Sequence, residues 1–227
     1  MTTRPLPPGW VLARIDELGD IRLGRQRSPK YHHGENMRPY LRAANVFEDR
    51  LDLSDVKEMV FDDADFERYE LRPGDILLNE GQTKALVGRP AMFRGEIEGV
   101  CFQNTLVRFR ANERVLPEFA LAGFRHFMHS GRFESIAQIT TNIAHLGASR
   151  FAALEFPVPP LEVQRRIVAK IEELTGHSRR AREALEAVPP LLEKLRQSVL
   201  AAAFSGRLTA AWRAAHPDVE HASVLLE

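Results

Sequence analysis

The sequence predicts an α+β domain followed by one long C-terminal helix. Three observations support this division of the 227 residues. Up to residue 160, short β-like runs alternate with helical patterns and are broken often by Pro and Gly. The segment Pro157-Val-Pro-Pro160 then forces an extended backbone that no helix can continue through. Beyond it, apolar residues recur at alternating spacings of four and three. The expected regions are 1–160, 161–206 and a C-terminal extension, 207–227.

The first region is predicted to mix short strands with short helices. Strands are expected where apolar and aromatic runs follow turn residues, at 75–79, 90–93 and 105–110. Helices are expected at 11–19, 62–70, 117–130 and 146–153. An acidic start favours the second of these helices, and a proline in the first turn favours the third.

The second region carries a heptad pattern over eleven positions, ten of them apolar. A helix over residues 161–204 would be about 66 Å long at 1.5 Å per residue, more than a domain of this size needs. Its apolar stripe is therefore predicted to pack against a partner helix. We call the following residues of that stripe the heptad seam: Ile167, Ile171, Leu174, Leu185, Val188, Leu192, Leu195 and Val199.

Two prolines interrupt the heptad pattern at Pro189-Pro190. They predict either a bent helix or two helices in line, since the apolar register continues on both sides. The alternative is a helical hairpin with the two prolines as its turn, in which Val188 and Leu192 would leave the seam. Gly206 is predicted to end the helix.

The charge balance excludes a uniformly basic protein. Lys and Arg total 31, as do Asp and Glu, and 26 of the 31 cations are Arg. Basic stretches at 22–50 and 84–114 flank an acidic one at 52–75, so a local basic face is compatible with a neutral total. A single cysteine fits the cytoplasm, and we expect neither a secretory signal nor a membrane span.

The sequence does not match the motifs of the enzyme classes considered below. Neither of the glycine-rich nucleotide-binding motifs is present in the sequence. Asp75, Glu80 and Lys84 resemble nuclease residues only superficially, because their spacing places them around a turn. His126 and His129 are spaced for zinc but have no evident third ligand. Cys101 lies in an apolar strand-like run without a base, which favours a packed thiol. No metal site and no bound cofactor are therefore predicted.

DNA binding explains the polar segments of the sequence better than catalysis does. Sequence-specific contact requires Arg, Asn or Gln side chains that reach base edges, with cations that hold phosphates around them. Three segments supply these groups: 22–42 with Asn45 after it, 79–84, and 138–145. The alternatives are a simple hairpin turn at 82–84 and a helix cap at 140–142.

Several motifs extend over nearly the whole chain in a recognisable order. They are Leu6-Pro-Pro-Gly-Trp10, Arg72-Pro-Gly-Asp-Ile-Leu-Leu78, Leu86-Val-Gly-Arg89, Gln103-Asn-Thr-Leu-Val-Arg108, Pro157-Val-Pro-Pro-Leu-Glu-Val-Gln-Arg-Arg-Ile-Val168 and Leu195-Arg-Gln-Ser-Val-Leu-Ala-Ala-Ala-Phe-Ser-Gly-Arg-Leu208. With these motifs the chain resembles the DNA-specificity subunits of type I restriction–modification systems. The most specific part is the pair of motifs that begins and ends the long helix.

The resemblance implies a non-catalytic protein with one target recognition domain for half of a split DNA site. The long helix would be a spacer that forms an antiparallel coiled coil with a second such helix and docks the modification methyltransferase. S-adenosylmethionine would then belong to the methyltransferase, and ATP to a restriction subunit that joins through the complex.

The chain departs from the family in length, because tandem recognition domains are usual and no second copy of the motifs is found. One interpretation is a half-subunit that forms a homodimer and reads an inverted repeat. Another is the N-terminal half of a longer protein. The rival functions are a recognition module of another methyltransferase-based phage-defence assembly, and a coiled-coil scaffold that binds no DNA.

The DNA-binding residues are predicted within the three polar segments. The groove-reading set is Gln82, Thr83, Lys84, Thr140, Thr141 and Asn142. The phosphate- or base-contacting set is Arg25, Arg27, Lys30, Arg42 and Arg89. Asn45 and His145 complete the prediction.

Overall fold

The computed structural model describes residues 5–218, 220 and 222–225 of the chain. One compact unit ends at Lys170, and a second begins at Ile171. The first unit extends ten residues past the predicted boundary at 160, because the first turns of the long helix belong to it. In those turns Gln164 is fully buried, and Ile167 and Val168 pack against the main core.

The first unit is a mixed α/β domain, as expected. Its strands are β1 Val11–Arg14, β2 Gly19–Leu23, β3 Met37–Leu41, β4 Val46–Phe47, β5 Arg50–Leu51, β6 Lys57–Val60, β7 Ile76–Asn79, β8 Gly81–Gln82, β9 Pro90–Met92, β10 Cys101–Phe102, β11 Leu106–Ala111, β12 Gln138–Thr140, β13 Ile143–His145 and β14 Glu155–Val158. Its short helices are α1 Asp63–Tyr69, α2 Pro117–His129, α3 Arg132–Ile136 and α4 Ala148–Ala152. The long helix α5, Leu161–Glu186, begins in this unit.

The central sheet is antiparallel with the strand order β2-β11-β7-β9. β7 and β9 contribute apolar residues to both faces, and each face of the sheet supports a separate core. Val107 and Phe109 of β11 join the core that contains α2, where Phe124 meets Phe109 edge-on at 5.2 Å between ring centroids. Leu106 of the same strand joins a second core with Phe102. Alternate residues of β11 therefore hold the two layers together.

Four smaller sheets surround the central one. Their strand orders are β10-β3-β6, β12-β13-β8, β1-β14 and β4-β5. The β1-β14 sheet joins the two ends of the domain, since Val11 pairs with Val158 just before the long helix.

The predicted helix at 11–19 is wrong. These residues form β1, a 3-10 turn at Ile15–Glu17 and the start of β2. The helical periodicity of so short a segment is overridden by pairing with β14, nearly 150 residues later in the chain. The other three predicted helices are confirmed as α1, α2 and a shorter α4, and the three predicted strands are confirmed as β7, β9 and β11.

The second unit continues α5 and contains α6, Val188–Phe204, and α7, Ala210–Ala215. Ala187 between α5 and α6 is itself right-handed helical, and its N–H donates to the carbonyl of Glu183. The two prolines lie in the first turn of α6, where a missing N–H costs nothing. They are therefore not the turn of a helical hairpin. Gly206 follows the end of α6 with a φ of +69°, as predicted for a helix stop.

Candidate nucleic-acid interface

The three polar segments predicted to bind DNA meet at one end of the central sheet. β2 ends there and β11 begins there, and the N–H of Gly24 donates to the carbonyl of Leu106 at 3.1 Å. β7 also ends there, and the N–H of Glu80 donates to the carbonyl of Thr105 at 2.9 Å. We call this edge, with the segments 24–36, 42–55, 80–89, 103–105 and 138–146, the loop end of the domain.

The third polar segment is a β-hairpin, and the alternative of a helix cap is wrong. Thr140 pairs with Ile143, so β12 and β13 are joined by the two-residue turn Thr141-Asn142. Ala144 then pairs with Gln82 of β8, and the N–H of Leu146 donates to the carbonyl of Glu80 at 2.7 Å. The second and third polar segments thus form one three-stranded sheet. The predicted residues at its tip are exposed, namely Thr83, Lys84, Thr140, Thr141 and Asn142.

The root of this hairpin is held by polar side chains. His145 Nδ1 lies 2.9 Å from Glu80 Oε2, and both side chains are partly buried. Arg150 donates to the carbonyl of His145 at 2.8 Å. Gln82 Oε1 accepts from the N–H of the next residue, Thr83, at 3.3 Å. His145 therefore holds the hairpin in place, and the exposed tip is left for a ligand.

The predicted residue Arg25 lies inside the domain. Its guanidinium pairs with Asp65 at 2.6 Å, donates to the carbonyl of Val60 and stacks 3.8 Å from the ring centre of Tyr31. The charge of Arg25 is thus neutralised by Asp65 within the domain, and its guanidinium packs on the ring of Tyr31. Lys30, which is exposed, lies 4.6 Å from the centre of the same ring and lowers the pKa of the Tyr31 hydroxyl through a hydrogen bond.

Arg42 and Asn45 stabilise their own segment. Asn45 is buried; its amide donates to the carbonyls of Asp52 and Asp55 and accepts from the N–H of Arg42. The Arg42 guanidinium pairs with the carboxylate of Asp55. The acidic stretch seen in the sequence therefore neutralises two of the predicted cations, Arg25 and Arg42.

Arg27, Lys84 and Arg89 remain available to a ligand. Arg27 and Lys84 are exposed, and neither has a salt bridge to a carboxylate within the described part of the chain. Arg89 is half-buried, with its guanidinium 4.8 Å from the ring centre of Phe47 and its Nε buried without a hydrogen-bond partner. Burial lowers the pKa of Arg89, a shift that nearby Glu48 only partly offsets. A partly desolvated guanidinium of this kind gains from an anionic ligand.

The residues weighed for other chemistry are engaged in the fold. Asp75 accepts from the N–H of Arg72 and pairs with Arg110 at 2.7 Å, while Glu80 holds His145. Cys101 is fully buried, and burial raises its pKa to about 12. Among the described residues, no group of three or more His, Cys, Asp and Glu side chains is placed to hold a metal ion.

Sequence analysis missed Ile139 and Ile143, which flank the hairpin turn and are both about half exposed. Their signal is an apolar residue on each side of the Thr-Thr-Asn segment, symmetrical about the turn.

No helix in the described part of the chain is both long and apolar enough to cross a membrane.

The fold and its loop end define a recognition domain that carries a long helix with an exposed apolar stripe. The chain belongs to the family described as the type I restriction modification DNA specificity domain, which matches residues 7–187. This confirms the resemblance found in the motifs.

The curated relatives are specificity subunits of type I restriction enzymes. The chain is 26% identical to the EcoKI specificity subunit of Escherichia coli K12, over 96% of its own length and 47% of that protein. It is also 26% identical to the StySPI specificity subunit of Salmonella potsdam, over 95% of its own length and 47% of that protein. The chain thus spans about half the length of these relatives.

Solved structures share the fold. One, of a type I restriction–modification system described in terms of complex assembly and conformational transition, superposes with a TM-score of 0.65 at 21% identity, over 89% of this chain and 47% of the other. The HsdS subunit from Thermoanaerobacter tengcongensis superposes with a TM-score of 0.62 at 23% identity, over 91% and 47% respectively. The mixed α/β domain with a long C-terminal helix is therefore confirmed as the fold of this family.

Proposed function

We propose that the chain is a DNA-specificity subunit whose single recognition domain reads one half of a split target. The observation that carries the proposal is the meeting of the polar segments at the loop end, together with the family match. Arg27, Lys30, Lys84 and Arg89 are the cations placed there to hold phosphates.

The groove-reading groups of this proposal are on the sheet formed by β8, β12 and β13. Thr140 and Asn142 offer hydroxyl and amide groups that can donate to base edges or accept from them. Gln82 pairs with the buried Ala144 and therefore lies on the other face of this sheet from Thr140. Arg25, Arg42, Asn45 and His145 have a positioning role, because each is bonded within the domain. The described loop end thus separates groups that reach outward from groups that hold the loops.

We also propose that two copies of the chain pair through the heptad seam as an antiparallel coiled coil. From Leu174 onward the seam leaves large apolar side chains exposed: Leu174, Leu185, Val188, Leu192, Leu195 and Val199. Heptad stripes of this kind bury their apolar side chains by packing knobs into holes of a second helix. A two-fold dimer would read the same half-site twice, in inverted orientation.

Two neighbouring residues of α6 test the pairing. Val199 on the seam is 48% exposed, and Leu200, outside the seam, is 49% exposed. Val199→Glu buries a charge in the proposed interface and is expected to convert dimer into monomer in sedimentation-velocity experiments. Leu200→Glu is the matched control and is expected to remain dimeric. Equal behaviour of the two variants would contradict pairing through this stripe.

The partners follow from the same proposal. The chain takes no catalytic step itself and docks a modification methyltransferase, which binds S-adenosylmethionine, and a restriction subunit, which uses ATP, joins through the complex. The assembly acts on double-stranded DNA in the cytoplasm.

The test is to co-express the chain with a modification methyltransferase subunit of a type I system and to map adenine methylation on genomic DNA by single-molecule sequencing. A split inverted repeat is the expected motif and supports the homodimer. Absence of methylation from a methyltransferase that co-purifies with the chain would mean that a second, different recognition domain is required. A chain that shows no salt-dependent, sequence-selective binding of duplex DNA would be the scaffold alternative.

A further inference from the structure

The hairpin of β12 and β13 carries more exposed apolar surface than its position requires. β12 is the edge strand of its sheet, and its three residues are all exposed. Ile139 is 47% exposed and Ile143 is 49% exposed. An exposed edge strand with large aliphatic side chains is a surface that natural proteins usually avoid unless something binds there.

The register of the hairpin assigns its side chains to two faces. Ile139 pairs with Ala144, and Ala144 is fully buried in the main core, so this face is directed toward the domain. The opposite face carries the side chains of the other two pairs, Gln138 with His145 and Thr140 with Ile143. We call Gln138, Thr140 and Ile143 the outward face of the hairpin.

The charge around this hairpin suits a polyanion. Residues 138–145 include no acidic side chain, and the nearest carboxylate along the adjacent strand, that of Glu80, is paired with His145. Lys84 is exposed and lies two residues after the end of β8, the third strand of this sheet. The turn also holds Thr141 at a φ of +54°, a left-handed conformation that is rare for a β-branched residue and frequent at binding sites.

The hairpin has the dimensions of a DNA reader. The major groove is about 12 Å wide and admits a two-stranded β-ribbon. The root of the ribbon is bonded through Glu80, His145 and Arg150, which leaves the turn at its tip as the part that projects. On this face Thr140 lies directly opposite Ile143, and Gln138 lies diagonally across from it. This combination of one aliphatic and two polar side chains suits the major-groove edge of an A·T pair, which offers an adenine amine and N7 beside a thymine C5-methyl group.

We propose that the hairpin enters the DNA major groove as a two-stranded ribbon and that its outward face reads an A·T pair, with Ile143 packed on the C5-methyl group of a thymine. This inference rests on the proposed DNA-recognition function and names the specificity-determining face of that site. Thr140, directly opposite Ile143, and Gln138, diagonally across from it, supply the polar contacts.

The test replaces the methyl group on the DNA. The target is first selected from random duplexes with the chain purified alongside its co-expressed methyltransferase. Each thymine of the selected half-site is then replaced by deoxyuridine, which removes the C5-methyl group and keeps the base pair. At one position this replacement is expected to weaken binding by the wild-type complex about fourfold, which is the effect of removing one buried methyl group.

The matched variants are Ile143→Ala on the outward face and Ile139→Ala on the inward face. Ile143→Ala is expected to bind the thymine and deoxyuridine duplexes equally, whereas Ile139→Ala keeps the fourfold difference. Thermal unfolding of both variants checks that each is folded. The inference would be overturned if the affinity difference between thymine and deoxyuridine duplexes persisted in Ile143→Ala, or if both variants lost it equally. It would also be overturned if the wild type showed no such difference at any thymine, or if the selected half-site contained no A·T pair.

A separate outcome identifies failure of the function itself. If the folded wild-type complex selects no duplex sequence at all, the DNA-recognition proposal is overturned before any thymine is replaced. A selected target with no deoxyuridine effect, by contrast, leaves DNA recognition in place and removes only the role of Ile143.

Discussion

Replacing Gln164 by Leu is expected to detach the start of the long helix from the recognition domain. The side chain is fully buried and makes three hydrogen bonds. Its Oε1 accepts from the N–H of Leu116 at 2.8 Å, and its Nε2 donates to the carbonyls of Arg114 at 3.0 Å and Pro159 at 2.9 Å. A net value of about 1 kcal/mol for each bond predicts a loss of about 3 kcal/mol in the free energy of unfolding.

Tryptophan fluorescence isolates the relevant transition. The chain has two tryptophans, and Trp10 packs near Phe119 in the main core, 6.5 Å between ring centroids, while Trp212 is in the second unit. In a Trp212→Phe background, urea unfolding followed by Trp10 fluorescence reports the first unit alone. Hydrogen exchange of the α5 amides before Lys170 gives a second readout, with protection expected to fall in Gln164→Leu.

Gln197→Leu is the control, because Gln197 is exposed on α6 and its one side-chain bond, to Glu193, is 3.3 Å long. A surface change of this kind is expected to shift stability by no more than about 0.5 kcal/mol. If Gln164→Leu lost less than about 1 kcal/mol, or no more than the control, the three bonds would not hold the helix to the domain.

Three further predictions concern single side chains. Cys101 is expected not to react with Ellman's reagent at pH 8 in the folded chain, because burial raises its pKa to about 12; stoichiometric labelling without denaturant would contradict this. Burial raises the pKa of Glu48, but hydrogen bonds from His129 and Arg125 outweigh it and hold the pKa below its ordinary value of 4.5. Its stabilising effect is therefore present above pH 4.5 and is lost as the pH falls through the folded pKa, so Glu48→Gln should lower the melting temperature at pH 7 and converge with the wild type in acid. Lys84→Ala should weaken binding to all DNA sequences alike and reduce the slope of log affinity against log salt by about one; a change in the selected motif instead would indicate a base contact.

Local patterns in the sequence predicted the elements that depend on local contacts. Heptads and turn residues, which act over a few positions, predict the long helix, the helix stop at Gly206 and the strand that follows Pro73-Gly74. The segment 11–19 was mistaken for a helix because its partner strand lies at the other end of the domain. The hairpin at 138–145 was missed as a hairpin because its Thr-Asn turn lacks the glycine that usually identifies one.

The candidate site was predictable by region, and its residue roles were not. Arg25 and Arg27 are two positions apart and look alike in the sequence, yet Arg25 pairs with Asp65 and Arg27 is exposed. The difference arises because α1 brings Asp65 against the first polar segment from 40 residues away in the sequence. Which cation reaches a ligand is decided by such long-range pairing, and no motif within the segment encodes it.

The loop end, proposed to recognise DNA, and the root of the long helix, proposed to support assembly, lie at opposite ends of β11. The loop end lies at Leu106, where the polar segments meet, and the helix root lies beyond Ala111, where Gln164 bonds the chain around Leu116. Six strand residues at about 3.4 Å each place roughly 20 Å between these ends. Substitutions on the outward face of the hairpin therefore leave the bonds of Gln164 untouched. Under the proposed function, such a domain can acquire a new target sequence without changing the bonds that hold the first turns of α5, because the hairpin and Gln164 share no side-chain contact.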